Sequence, residues 1–163
     1  MKKKYGAREL ELAAASAAAP KTGAPAALAG EVMAMLSRRG FRPERTAGDV
    51  PFPPQIDESL AERIADWLGH YAFRLFLRGA IQKPEGFVPV ETTRYLTQSQ
   101  AWSYAEILVN MGLAEKASPG RYRLKWPAKS FGGTLEWYVG RELARRFGFD
   151  VATGVKLHVP GVG

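Results

Sequence analysis

The side chains able to hold a metal ion or move a proton near neutral pH are limited in kind: 16 Asp and Glu, two His and no Cys in 163 residues. The lack of cysteine removes disulfides, thiol nucleophiles and cysteine-based zinc sites together. His70 and His158 lie far apart, and neither has an acidic cluster near it in sequence, so their spacing makes no metal site. His70 falls inside a strongly apolar helical stretch and is expected to be a packed or hydrogen-bonded core residue. The threonines of "VETTRYL" have no base at a matching spacing, and no phosphate-loop, dinucleotide, zinc-protease or nucleophile-elbow pattern occurs. "FGG" at 131–133 would present backbone N–H groups at a helix start, which suits either an anion or a plain turn. The expectation is a chain without catalytic residues, metal ligands or cofactor, whose chemistry is binding.

The elements that must position any binding surface follow from periodicity. Residues 13–29 are rich in Ala, Pro and Gly and read as a linker. "EVMAMLSRRGFRPE", 31–44, reads as a short helix ended by Gly40, with Val32, Met35 and Leu36 on one face. Prolines 51, 53 and 54 impose an extended loop. Residues 56–78 give the strongest helical signal. Asp57 caps the start, and Ile56, Leu60, Ile64, Trp67, Leu68, Tyr71 and Leu75 form one stripe. A short helix over 90–96, a turn at "TQS" and a second helix over 100–111 stopped by Gly112 come next. "LAEKA", a turn at "SPG" and "RYRLK" then read as a hairpin, with Tyr122 and Leu124 on one face and Arg121, Arg123 and Lys125 on the other. Beyond "WPAKS", a helix starts at Gly133 or Thr134, repeats Leu135, Val139, Leu143 and Phe147 on an apolar face, and ends at Gly148. Glu142 and Arg146 form an i,i+4 pair on it. "FDVA" and "VKLHV" read as two short strands around a turn at Thr153–Gly154.

The passage "NMGLAEKASPGRYRL" and the order helix, turn, helix, hairpin resemble a winged helix-turn-helix module, with 56–78 as its first helix. The resemblance implies that the second helix of the pair enters the DNA major groove and the wing meets the backbone. The residues it assigns to DNA are Gln98, Ser99, Gln100 and Ser103 near the helix start and Arg121, Arg123 and Lys125 on the wing. Glutamine makes a bidentate contact to adenine, and Arg and Lys hold phosphates. The helix itself carries no Lys or Arg but does carry Glu106, the pattern of a winged helix that binds protein instead. Trp102 and Tyr104 are expected to pack.

"FGGTLEWYVGRELARRFGFDVATGVKLHV" resembles the opening of the restriction-endonuclease-like nuclease fold. The matching residues are Gly133, Leu135, Glu136, Val139, Phe147, Gly148, Phe149 and Val151. That family hydrolyses phosphodiesters with Mg²⁺ held by an Asp on one strand and an acidic residue two positions before a Lys on the next. No Asp/Glu-x-Lys occurs here: Glu115 directly precedes Lys116, which sets their side chains on opposite faces of a strand, and Asp150 comes too early. Glu136 matches a first-helix Glu that assists metal binding in some relatives, and alone it holds no catalytic metal.

The formal charge of +7 is uneven: residues 1–50 hold nine Lys/Arg and five Asp/Glu, 51–120 six and eight, and 121–163 eight and three. Basic ends suit phosphate polyanions. "MKKK" lacks a following apolar run, so neither a secretory signal nor a membrane span is expected, and a cytoplasmic setting is. The expected fold is mainly α with α+β character: a winged helix-turn-helix core plus a small C-terminal helix–hairpin extension. The expected division is a low-complexity segment at 1–30, a short helix and Pro-rich linker at 31–54, a winged-helix-like domain at 55–127 and an incomplete nuclease-like segment at 128–163. The function expected is a double-stranded-DNA-binding accessory region of a larger restriction-endonuclease-like protein, the rest of the nuclease domain being its implied partner. The alternative is a winged-helix protein-interaction or scaffold module without nucleic acid.

Overall fold

The computed structural model describes residues 25–46, 48–53 and 55–159. The expectations for the N-terminal basic tripeptide and most of the Ala/Pro-rich stretch lie outside them. The elements are α1 Pro25–Arg38, β1 Arg42–Arg45, α2 Glu58–Gly69, α3 Tyr71–Ile81, a 3-10 turn Pro89–Glu91, α4 Gln98–Asn110, β2 Ala114–Ser118, β3 Arg121–Leu124, α5 Gly132–Phe147 and β4 Val155–His158. The class is helical with small antiparallel ribbons, α+β as expected.

Asp57 caps α2 by accepting the Leu60 N–H at 2.7 Å. The single helix expected over 56–78 does not form, because the chain turns extended at His70, φ −86° and ψ 119°. Arg74 reaches back and donates to the carbonyls of Leu68 and Gly69 at 2.5 and 3.1 Å, satisfying the end of α2. The break has a packing reason. The apolar residues of 56–78 run nearly all round a continuous helix, and two helices present them to one core. Phe73, Phe76 and Leu77 point inward, while Tyr71 of the expected stripe is 67% exposed. His70 is likewise exposed, its Nδ1 3.0 Å from the Asp66 carbonyl, and is not a core residue.

Phe76 meets Phe87 edge-on at 5.8 Å, which ties α3 to the segment before the 3-10 turn, and Phe73 meets Tyr104 at 5.4 Å, joining α3 to α4. The helix expected over 90–96 shrinks to the Pro89–Glu91 turn. Gly79 explains the path: a Cβ there would overlap the Thr92 backbone, so the chain lies directly on α3. α4 starts two residues earlier than the spacing indicated, because Thr97 and Gln100 form a capping box. Its stop at Gly112 (φ 74°) returns Leu113 to the core and feeds β2, which pairs antiparallel with β3. Phe87 and Tyr122 exchange backbone hydrogen bonds of 2.7 and 2.9 Å, so residue 87 adds a third short rung beside β3.

α5 ends at Gly148 in the left-handed region, φ 64°. The hairpin expected after it is absent: residues 149–153 form no strand, and β4 pairs instead with β1, from Arg42↔His158 to Arg45↔Val155. Gly140 accounts for this. Val151 and Thr153 press into the space where its side chain would be, so the segment runs along α5 rather than folding back on itself. The ribbon also joins the expected linker 31–54 to the C-terminal segment. The Thr46 N–H reaches the Gly154 carbonyl at 2.7 Å, and Phe52 enters the core against Trp137 at 4.9 Å. Among the residues whose burial is described, everything buried lies between positions 51 and 140, so residues 30–38 of α1, β1 and β4 form an outer layer without a buried residue.

Candidate nucleic-acid interface

Ala101, Ala105 and Leu108 face the core on α4, with Tyr104 packed beside them, which turns Ser99, Ser103 and Asn110 outward. Trp102 lies edge-on to Tyr122 at 5.9 Å and backs the hairpin tip, where a Cβ on Gly120 would be 3.7 Å from its ring. Trp102 and Tyr104 therefore pack, as their spacing indicated. Gln98, Ser99, Gln100 and Ser103 are all exposed. Gln100 has its amide oxygen occupied by the cap, accepting from the Thr97 backbone N–H and hydroxyl at 3.0 Å each.

The wing cations are placed differently. Tyr122 and Leu124 are buried, so alternation along β3 sends Arg121, Arg123 and Lys125 to the outer side of the hairpin, away from α4. Arg121 donates to the Gly86 carbonyl at 3.3 Å, and Arg123 pairs with Glu115 at 2.6 Å. On the α4 side, Lys116 pairs with Glu106 at 2.9 Å, and the Tyr122 hydroxyl donates to the same carboxylate at 2.6 Å. Lys116 and the Tyr122 hydroxyl hold the Glu106 carboxyl below its usual range, while burial and the Glu106 charge push the Tyr122 phenol up to about 12. The helix residues thus share one surface, and the three wing cations share another.

Arg94 and Tyr95, in the turn before α4, were not singled out by their pattern. The Arg94 guanidinium sits 5.0 Å over the Tyr95 ring, and Tyr95 is 66% exposed beside the start of α4. The signal available in sequence was an Arg–Tyr pair just ahead of the Thr97 cap.

"FGG" at 131–133 follows a carboxylate site made by the two residues before it, and its Gly133 lies against the Asp49 backbone, the plain-turn alternative. Both Asp49 oxygens are engaged, accepting the N–H groups of Lys129 at 2.7 Å and Ser130 at 2.9 Å, and a Cβ on Gly133 would overlap the Asp49 carbonyl. Glu136 stands alone: its Oε1 accepts the Gly154 N–H at 2.8 Å. Among the described residues no three His, Asp or Glu side chains gather. That donor set does not fit the nuclease family's Mg²⁺, and no hydrolytic step follows from these residues. No helix among the described residues is long and apolar enough to cross a membrane. No protein-family model, curated protein or solved structure matches the chain.

Proposed function

We propose that the chain is a DNA-engaging accessory region of a larger restriction-endonuclease-like protein. One observation carries this reading. α5 passes through the Gly148 stop toward β4 with Glu136 tied to Gly154 at the head of that strand, and the Leu135, Val139 and Phe147 stripe lies open to solvent. An open apolar helix face beside a two-stranded ribbon is the surface on which further strands of such a sheet would be laid.

The winged-helix part of the reading is supported by element order: α3, the Phe87 rung, the Pro89–Glu91 turn, α4, then β2 and β3. Its DNA-facing surface is the open start of α4 with Gln98, Ser99, Ser103, Arg94 and Tyr95. Arg121 and Lys125, neither paired with a carboxylate among the described residues, lie on the other face of the hairpin and are proposed to meet phosphates flanking that surface rather than to share it. Binding by so few cations has a shallow salt dependence. Each neutralised phosphate contributes a slope of about −0.9 in log K against log salt, so a total of about −2 to −3 is expected on duplex DNA. Reversing Arg121 and Lys125 to Glu should flatten it, and an unchanged slope would remove the wing from the interface.

A second reading, a protein-binding winged helix, is favoured by the Lys116–Glu106 pair, which neutralises charge beside α4, and by the Arg123–Glu115 pair, which does so on the outer face of the hairpin. Duplex affinity too weak to measure at low salt would select it.

A further inference from the structure

Between the β1–β4 ribbon, the loop after β1 and the first half of α5 lies a cleft of about 870 Å³, inside the range of roughly 300–1,000 Å³ typical of small-molecule sites. Trp126, Phe52 and Ile56 contribute apolar wall, and Arg45 and Glu136 contribute opposite charges. Other groups on the wall are already engaged. Asp49 is filled by the Lys129 and Ser130 N–H groups, and Trp137 has Phe52 at its ring and the Arg141 guanidinium 5.9 Å above it. Among the described residues, the Arg45 side chain makes no hydrogen bond or ion pair, Glu136 uses one oxygen only, and Trp126 has no aromatic neighbour.

The occupant must match three groups at once: a flat ring for Trp126, an anion for Arg45, and N–H or O–H donors for the open oxygen of Glu136. A sugar phosphate leaves the aromatic wall unmatched. An apolar molecule would bury Arg45 and Glu136 without partners. We infer that the cleft binds a nucleotide, with its base on Trp126, its phosphate at Arg45 and base or sugar donors at Glu136. The source is either a free nucleotide or an unpaired unit of a single strand. The inference extends the nucleic-acid reading above through a different surface.

The test is a titration of the whole chain with dAMP, an oligo(dT) octamer, inorganic phosphate and L-phenylalanine. It is followed by tryptophan fluorescence and by amide shifts assigned along the backbone. Saturable dAMP binding at millimolar or lower concentration, with shifts at Arg45, Trp126 and Gly154, is expected. An octamer that binds about tenfold or more tighter than dAMP identifies the strand as the source, and equal affinity identifies the free nucleotide. Stacking on one aromatic is worth about 1–3 kcal/mol, so Trp126→Ala should weaken binding by about 5- to 150-fold. Arg45→Ala should remove the preference for dAMP over deoxyadenosine, and Glu136→Gln should weaken binding with the melting curve unchanged. Arg121→Glu with Ser103→Glu should leave the dAMP titration intact, which separates failure of this site from failure of the duplex reading. Shifts confined to other surfaces, L-phenylalanine binding as well as dAMP, or indifference to Arg45→Ala would each overturn it.

Discussion

Tyr122 fixes the hairpin to α4 with one hydroxyl. Its 2.6 Å bond to Glu106 keeps the phenol neutral, since ionising it would place two negative charges together. The phenol titrates at about 12 in the fold against about 10 in an unfolded chain. The stability that this shift supplies is fully present below pH 10 and is lost as pH rises toward 12. Tyr122→Phe should abolish that alkaline loss and cost about 1–2 kcal/mol at neutral pH, read from denaturant unfolding at both pH values. Thr134 is the reverse case: it is wholly buried, and its hydroxyl finds no partner among the described residues. Thr134→Val should raise stability by about 1 kcal/mol, because the substitution removes a desolvated hydroxyl and keeps the branched shape. A melting temperature that falls instead would show that the hydroxyl is satisfied.

Helices supply a paired experiment on one substitution. Alanine in place of a helical glycine gains up to about 1 kcal/mol from propensity. Gly30 in α1 has open space around it, so Gly30→Ala should raise the melting temperature. Gly79 in α3 lies on the Thr92 backbone, and forcing that segment away costs about 1–3 kcal/mol, which exceeds the gain; Gly79→Ala should lower it. Much of the middle of the fold could be read from sequence because its signals are local. Asp57 marks the start of α2, Gly112 and Gly148 mark helix ends, and alternation in "RYRLK" places Tyr122 and Leu124 inside. What could not be read depends on distant partners. "RPER" has no strand pattern and becomes β1 only because β4 lies beside it. The break at His70 reflects which face Phe73 and Phe76 must reach. The exposure of Gln98, Ser99, Gln100 and Ser103 on α4 and the shared face of Arg121, Arg123 and Lys125 were legible, but the ion pairs around them were not. The number of cations is visible in sequence, whereas the pairing of Arg123 with Glu115 and of Lys116 with Glu106 depends on geometry across strands and helices. The cleft draws its walls from three separated stretches, so no spacing announces it.

At the level of the molecule, the stripe on α5 separates a packed face from an open one. Trp137 and Tyr138 lean on the core, and Arg141 pairs with Glu58 on α2, while Leu135, Val139 and Phe147 are 42%, 44% and 65% exposed. Replacing these three with Gln should change stability by no more than about 0.5 kcal/mol each, while reducing self-association in sedimentation. A cooperative loss of several kcal/mol would mean that the stripe is already sealed. The outer ribbon has a consequence for how the molecule assembles. The Thr46 hydroxyl meets the Gly154 carbonyl across 108 positions of chain, at the edge of a ribbon, β1 and β4, that contains no buried residue. Closing so long a loop has a large entropic cost that this ribbon returns little energy to offset. The helices and the β2–β3 hairpin are therefore expected to gather first, with the ribbon pairing last. Its amide protons should exchange through local opening well before those of α3 and α4, which makes β1 and β4 a latch that can release while the centre stays folded.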